Sequence, residues 1–357
     1  MNPQKNFGLD IIRIIAALLV FIPHLIISFS DNLDFTKYAY VIATTGVELF
    51  FCLSGYLICK QGMHIANSNK YFLKNTFIFI KRRIIRTWPA YFFSLFAYIF
   101  FYKYFENEII FYALFLQNLF YPMVSSTFFS VSWSICVEEL FYITFPVLLC
   151  LIVFLLRKKN LKPELFVIFT CLIIILAVFF FRVNLNYEDW GNEVRRVSFL
   201  RLDSIAFGGL SYFFFQRYIN FKYSKLLVVF LALGSFLVLN YYFKLYLENN
   251  SFENALVSDN LIFYCIYLLC VSLIFLSDRI INVTNATVKN ITSEFANWAY
   301  PLYLMHILVI DFIKSFGIDY LLINISLSIL INFLLAHSIR RYIELPLIKI
   351  RPKFIVG

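Results

Sequence analysis

Apolar runs of about twenty residues recur along the whole of this 357-residue chain, separated by short polar breaks. A helix needs about 20 predominantly apolar residues to cross a bilayer, and the irregular backbone between crossings has to lie outside the hydrocarbon. The sequence therefore predicts an all-α polytopic membrane protein with about ten transmembrane helices. The predicted spans are approximately residues 9–29, 39–59, 85–102, 133–156, 165–181, 198–215, 226–243, 261–277, 298–314 and 320–339.

Composition excludes the main alternative classes. The chain is 61% hydrophobic and only 15% charged, whereas soluble domains are about half apolar and about a quarter charged. An aromatic content of 20% also excludes a long disordered tail. The seven cysteines all lie in apolar runs without metal-ligand spacing, so we expect neither a disulfide framework nor a metal site. We also expect no nucleic-acid partner, because excess basic charge in a membrane protein usually marks cytoplasmic loops.

The distribution of basic residues predicts the orientation. If the N-terminus is cytoplasmic, most of the 31 Lys and Arg residues fall in cytoplasmic segments, and the C-terminus is cytoplasmic too. A shorter apolar stretch, Ile109–Tyr121, is then predicted not to cross, because a full crossing would move the basic residues 157–159 outside. The longest polar connections, 182–197, 244–260 and 278–297, are predicted to be loops. We expect residues 1–357 to form one integral membrane domain without a fused soluble domain.

Charged side chains inside predicted spans are costly, so each is a candidate functional residue. Arg13 and His24 lie in the first span, eleven residues apart. Eleven residues make close to three helical turns, which places both on one helix face about 16 Å apart along the axis. The alternative is an Arg that snorkels to the interface and a His that is hydrogen-bonded in the core.

The second span contains Glu48 above a stripe of small residues, Cys52, Gly55 and Cys59. Such stripes usually serve close helix packing. The carboxylate needs a partner, and its predicted depth matches that of the imidazole in the first span. We therefore expect a contact between Glu48 and His24.

Three later spans carry polar groups at a similar predicted depth, namely Glu138, Glu139, Arg201, Asp203 and His306. Arg201 and Asp203 are close enough in sequence to neutralise each other. The alternative is that all five converge with the polar groups of the first two spans. We expect such a cluster in the outer half of the bundle, where it would bind substrate.

The predicted inner side is basic. Helical spacing places Arg82 or Arg83 beside Arg86, and paired guanidinium groups suit phosphate oxygens. For any single one of these residues, ordinary positive charge of a cytoplasmic loop is the better interpretation. The same two interpretations apply to Arg340-Arg341 and Glu344 at the end of the last span.

Seven motifs, taken together and in this order, resemble acyltransferase family 3, whose bacterial integral-membrane members move acyl groups, most often acetyl, onto cell-surface glycans. They are Arg13-x10-His24, GVELFFCLSGYLI (46–58), KRRIIRTWPAY (81–91), SWSICVEELFYITFP (132–146), FLRLDSIAFGGL (199–210), YPLYLMH (300–306) and RYIELP (341–346).

The resemblance implies a ten-span protein of the bacterial cytoplasmic (inner) membrane that uses cytoplasmic acyl-coenzyme A as co-substrate, with no permanently bound cofactor. It also implies that His24 is catalytic with Arg13 as its partner. Arg13, Arg82, Arg83 and Arg86 would then bind the coenzyme A phosphates. The family more often has Asp where this chain has Glu48.

These observations predict an O-acyltransferase that acylates, most often acetylates, a hydroxyl of a surface glycan such as O-antigen, capsule or exopolysaccharide. His24 would act as general base with Glu48 setting its tautomer, or would itself carry the acyl group. The expected partners are acyl-coenzyme A, a glycan or lipid-linked glycan, and membrane lipids. The alternatives are a transferase for a protein or lipid hydroxyl, and a transporter or flippase for a lipid-linked saccharide.

Overall fold

The computed structural model describes residues 6–30, 33–68, 71–119, 128–156, 161–187, 190–218, 224–249, 255–281 and 283–355. Helices and turns make up these residues, and no strand occurs among them. The α-helices are α1 (Phe7–Phe29), α2 (Leu33–Ala66), α3 (Phe72–Tyr102), α4 (Ile109–Ala113), α5 (Ser132–Leu156), α6 (Pro163–Val183), α7 (Leu202–Tyr218), α8 (Ser224–Asn249), α9 (Ala255–Ile280), α10 (Ala286–Lys314), α11 (Leu321–Ile339) and α12 (Leu345–Ile348).

Nine helices in the described part of the chain are long and apolar enough to cross a membrane, which confirms an all-α polytopic membrane protein. The predicted span that falls short is α7, which has 17 residues after a 3-10 turn at Phe199–Arg201. A helix of 17 residues is about 25 Å long, slightly less than the hydrocarbon thickness of about 30 Å. Residues 219–223, directly after α7, lie outside the described part of the chain.

Two predicted loops are mostly helical. α8 continues to Asn249, α9 begins at Ala255 and α10 begins at Ala286, so the described residues of 244–260 and 278–297 are mostly helical. Hydropathy detects only the part of a helix that suits lipid, so the polar ends of helices resemble loops in the sequence. The short stretch beginning at Ile109 contains only the five-residue α4, which is about 7.5 Å long and far too short to cross. Its last two residues lie outside the described part of the chain.

α2 packs closely against α7, and α1 packs against α2, α9 and α10. A Cβ at Gly55 on α2 would collide with the Ile205 carbonyl of α7, and a Cβ at Gly208 on α7 would collide with the Cys52 carbonyl of α2. Glycine therefore allows the two backbones to touch, as at other close helix crossings. The stripe of small residues below Glu48 is a packing surface, as predicted.

The chain leaves α11 through a π-helical turn, Arg340–Glu344, and α12. Residues 345–355, here called the C-terminal segment, then return to α3. The Arg82 guanidinium donates to the Pro352 carbonyl at 2.6 Å, and the Asn75 side chain bonds both the N–H and the carbonyl of Ile355. These contacts bring the C-terminal segment beside the basic residues of α3.

Candidate active site

A cavity of about 350 Å³ lies between α1, α2, α3, α5, α10 and the C-terminal segment. This volume is at the lower end of the range for small-molecule sites, about 300–1,000 Å³. The charged residues that line it are Arg13, Arg83, Arg86, Glu138, Arg340, Glu344 and Arg351. Arginines from three separate parts of the chain therefore face one space.

Two of these arginines are neutralised within the protein. Arg13 pairs with Asp10 one turn earlier on α1, and Arg340 pairs with Glu344 at 2.9 Å. The three others, Arg83, Arg86 and Arg351, form no ion pair within the described ranges. The cavity therefore carries uncompensated positive charge, which suits an anionic ligand.

Arg83 is the most enclosed of the three, with 4% of its surface exposed. Its guanidinium lies over the rings of Phe79 and Tyr142, at 5.3 Å and 5.0 Å from the ring centroids. Its Nε and Nη2 atoms have no hydrogen-bond partner in the described structure. Buried donors without partners are costly, and phosphate oxygens are well suited to satisfy a guanidinium.

Arg351 lies beyond the last membrane-spanning helix. Burial, together with the positive charges of Arg82, Arg86 and Arg83, lowers its pKa below the ordinary value for arginine. The guanidinium nevertheless stays protonated at neutral pH, because arginine in proteins is effectively always charged. The lowered pKa reflects burial first and crowded positive charge second, and a bound anion would relieve the crowded charge.

Arg82 was predicted to join this group, but it does not line the cavity. Its guanidinium is held by the Pro352 carbonyl and lies 5.0 Å from the centroid of the Phe354 ring. Arg83 and Arg86 are three residues apart on one helix, and both line the cavity. Of the two pairings that helical spacing left open, the structure selects Arg83 with Arg86.

Glu138 and Glu139 face different neighbours. Glu138 lines the cavity and accepts hydrogen bonds from the Ser54 hydroxyl at 2.9 Å and the Tyr142 hydroxyl at 2.7 Å. Glu139 instead accepts from the Thr87 hydroxyl at 2.5 Å and the Trp88 indole N–H at 2.9 Å. Glu138 thus lies in the arginine-lined cavity, and Glu139 joins α5 to α3.

At the end of the cavity away from the arginines, three rings lie in succession. Tyr303 lines the cavity, and its hydroxyl is bonded to the Ser134 hydroxyl at 2.6 Å. The His306 ring is 5.7 Å from the Tyr303 ring and 4.9 Å from the His24 ring, centroid to centroid. Arg13 and His24 therefore both face the protein interior, as predicted. Tyr303 and His306, however, fill the space between the cavity and His24.

Hydrogen bonding fixes the tautomers of the two histidines. His24 Nδ1 lies 2.7 Å from the Val20 carbonyl, and His306 Nδ1 lies 2.6 Å from the Tyr303 carbonyl. A carbonyl only accepts, so in a neutral imidazole Nδ1 carries the proton and Nε2 carries the lone pair. His24 therefore has the form that a general base requires.

The predicted contact between Glu48 and His24 is wrong. One carboxylate oxygen of Glu48 pairs with Arg201, and the other accepts from the Ser204 hydroxyl at 2.7 Å. Both charged side chains are completely buried. The carboxylate meets the start of α7, and the Val20 carbonyl takes the tautomer-fixing role that was expected of Glu48.

Arg201 and Asp203 do not neutralise each other either. Asp203 pairs with Arg182 of α6 at 2.8 Å and accepts from the Tyr267 hydroxyl at 3.0 Å. Arg182 also donates to Asn260 at 2.9 Å. Neither Arg201 nor Asp203 lines the cavity. The expected single cluster of polar groups is thus divided into a cavity group, a histidine pair and a buried ion-pair network.

Sequence reasoning missed Arg182, Arg195 and Arg351. Arg182 follows the predicted span 165–181 directly, and a lone Arg at the end of so apolar a run signals a buried partner. The Arg195 guanidinium lies over the Trp133 ring, 5.2 Å from the ring centroid. Burial and the charges of Arg196 and Arg201 lower the pKa of Arg195.

Comparison with known protein families gives a match over most of the chain. Residues 6–339 match the family model described as an acyltransferase domain. The chain belongs to this acyltransferase family. No curated protein and no solved structure gives a significant match. In this membrane acyltransferase, the matched region includes Arg13, His24, Arg83, Arg86 and Glu138, whereas Arg340, Glu344 and Arg351 lie beyond it.

Proposed function

We propose that this acyltransferase moves an acetyl group from cytoplasmic acetyl-coenzyme A to a hydroxyl of a surface glycan such as O-antigen, capsule or exopolysaccharide. The observation that supports this most is the cavity, which begins at unpaired arginines and ends at rings that lead to His24. Coenzyme A combines several phosphate charges with a long, thin pantetheine arm. The cavity offers arginines for the phosphates and, at its other end, Tyr303 on the way to His24.

The donor binds first in this proposal. Arg83 and Arg86 bind the phosphates, Arg13 adds a third guanidinium that it shares with Asp10, and the pantetheine arm extends toward Tyr303. α1 is continuous from Phe7 to Phe29, so Arg13 and His24 are about 16 Å apart along its axis. The distance suits a donor whose charged part stays at one end while its thioester reaches the other. Rotation of the Tyr303 and His306 side chains admits the thioester to His24.

Acetyl transfer then depends on the tautomer of His24, which leaves a lone pair on Nε2. Nε2 takes the proton of the acceptor hydroxyl as its oxygen attacks the thioester carbonyl carbon. The new C–O bond forms, the C–S bond breaks, and the imidazolium returns its proton to the leaving coenzyme A sulfur. General-base catalysis of this kind is worth about 10²–10⁴ in rate. Arg195, whose guanidinium lies over the Trp133 ring, is the cation that we assign to the oxyanion of the tetrahedral intermediate.

The acceptor side of the proposal rests on chemistry and on the family. Coenzyme A is a cytoplasmic donor, and many surface glycans are completed outside the cytoplasmic membrane. A transferase that spans this bacterial membrane, with basic termini in the cytoplasm, meets donor and acceptor on opposite sides. Residues 6–339 match an acyltransferase domain, which favours group transfer over the transport of a lipid-linked saccharide.

The deciding experiment compares His24→Ala with His337→Ala in purified, detergent-solubilised protein. We expect His24→Ala to abolish acyl transfer, and His337→Ala, on α11 against the Trp298 ring, to retain it. Both variants should elute as folded protein in size-exclusion chromatography. Acyl transfer by folded His24→Ala at the wild-type rate would remove His24 from the chemistry.

Two further measurements separate the alternatives. Rapid-quench labelling with radioactive acetyl-coenzyme A, without acceptor, distinguishes direct transfer from an acyl-histidine, because only the latter leaves label on the protein. Calorimetric titration with coenzyme A distinguishes an acyltransferase from a saccharide transporter. We expect saturable binding, and its absence would contradict the proposed donor.

A further inference from the structure

The C-terminal segment is fixed to the rest of the protein at its far end. Asn75 of α3 is fully buried, and its side chain accepts from the Ile355 N–H at 2.9 Å and donates to the Ile355 carbonyl at 3.0 Å. The two bonds pair both backbone groups of Ile355, as a neighbouring strand would in a β-sheet. A buried asparagine that satisfies both backbone groups of one residue holds that residue in a defined place.

Aromatic and cationic contacts hold the preceding residues. The Phe354 ring stacks on the His64 ring at 4.9 Å with an interplanar angle of 9°. The Arg82 guanidinium lies 5.0 Å from the Phe354 centroid and donates to the Pro352 carbonyl. The C-terminal segment is therefore joined to α2 as well as to α3.

The result of this fixation is the position of Arg351. Ile348 and Arg351 line the cavity beside Arg83 and Arg86. The Arg351 Nε is buried without a hydrogen-bond partner, and no ion pair forms at Arg351 among the described residues. Folding has thus placed a guanidinium among others of like charge, which is unfavourable unless an anion binds there.

We propose that the C-terminal segment forms one wall of the donor site and that Arg351 binds a phosphate of the acyl-coenzyme A carrier. This inference rests on the proposed function, and it extends the donor site beyond residues 6–339, the part that matches the family. Phe354 acts as a positioning residue, because its stacking on His64 and Arg82 holds Arg351 at the cavity.

The test is calorimetric titration of the purified full chain with coenzyme A and, separately, with pantetheine, which lacks the phosphates. We expect Arg351→Gln to weaken coenzyme A binding about tenfold or more, the usual cost of a lost charge-assisted hydrogen bond. Pantetheine binding should not change. Lys349→Gln is the matched control, because it removes the same charge from an exposed position of the same segment.

Phe354→Ala tests the positioning role. If Phe354 acts through Arg351, the double variant binds coenzyme A no more weakly than Arg351→Gln alone; independent roles would give additive losses. Folded Arg351→Gln that binds coenzyme A as tightly as the wild type would overturn the inference. If the wild type itself binds no coenzyme A, the proposed function fails instead. Arg351→Lys is the control for loss of binding through misfolding. It keeps the charge and should recover part of the affinity for coenzyme A.

Discussion

Glu48 on α2 forms an ion pair with Arg201 at the start of α7, and both side chains are completely buried. A second buried pair, Asp203 with Arg182, follows two residues later on the same stretch of chain. The Arg201 guanidinium also lies 3.6 Å from the centroid of the Phe263 ring of α9. Four helices, α2, α6, α7 and α9, are therefore joined through one network of charges and rings.

Glu48→Gln should destabilise the fold because it leaves the Arg201 charge buried without a counter-charge. Loss of one partner of a buried ion pair typically costs about 3–5 kcal/mol. We expect a clearly lower unfolding temperature in detergent, measured by intrinsic fluorescence. Glu48→Asp, which keeps the carboxylate, should lose less. An inactive Glu48→Gln variant of unchanged stability would instead favour a direct catalytic role for Glu48.

Gly55→Ala should disrupt the contact between α2 and α7, since the added methyl group meets the Ile205 carbonyl directly. Overpacking of this kind costs about 1–3 kcal/mol or more. Gly234→Ala on α8 is the matched control, because nothing lies within 4 Å of the position that its Cβ would occupy. Alanine favours the helix over glycine by about 1 kcal/mol, so this control should be neutral or stabilising. Equal unfolding temperatures for the two variants would refute the close crossing.

Arg83→Gln should raise the KM for acetyl-coenzyme A about tenfold and change kcat little, because the guanidinium binds the donor equally in the ground state and the transition state. Steady-state release of the coenzyme A thiol measures both constants. Lys81→Gln removes an exposed charge from the same helix and should leave KM unchanged. A fall in kcat alone would place Arg83 in the chemical step and not in donor binding.

Tyr303→Ala should open the cavity toward His24 and admit water to the thioester. We expect faster hydrolysis of acetyl-coenzyme A in the absence of acceptor, detected as free thiol. Tyr303→Phe keeps the ring and loses only the hydroxyl that is bonded to Ser134, so hydrolysis should stay at the wild-type level. If Tyr303→Ala and Tyr303→Phe hydrolyse the donor equally slowly, Tyr303 does not close the cavity.

The sequence was sufficient to predict the fold class, because long apolar runs between polar breaks have few other physical solutions. Arg13, Arg83, Arg86 and Glu138 were also recognised as candidates, and the structure places all four at one cavity. Their common property, a charge within or beside an apolar run, is visible in a single sequence.

The partners of buried charges could not be predicted in the same way. Spacing along one helix gives the face and depth of Glu48, but its partner is fixed by which helix packs opposite it. Here α7 approaches closely because Gly55 and Gly208 permit it. The residue that contacts Glu48 is therefore Arg201 and not a histidine. Arg351 was missed for a related reason. Its position depends on contacts with Asn75 and Arg82, about 270 residues away in sequence.

The two rings between the cavity and His24, those of Tyr303 and His306, have a consequence for the cell that contains this protein. Any enzyme that passes a chemical group from one side of an energised membrane to the other must not let ions leak through the protein. Tyr303 is bonded to Ser134, His306 lies between Tyr303 and His24, and His24 is not among the residues that line the cavity. In the proposed transferase, this separation would preserve the membrane potential between turnovers, until a bound donor displaces the rings.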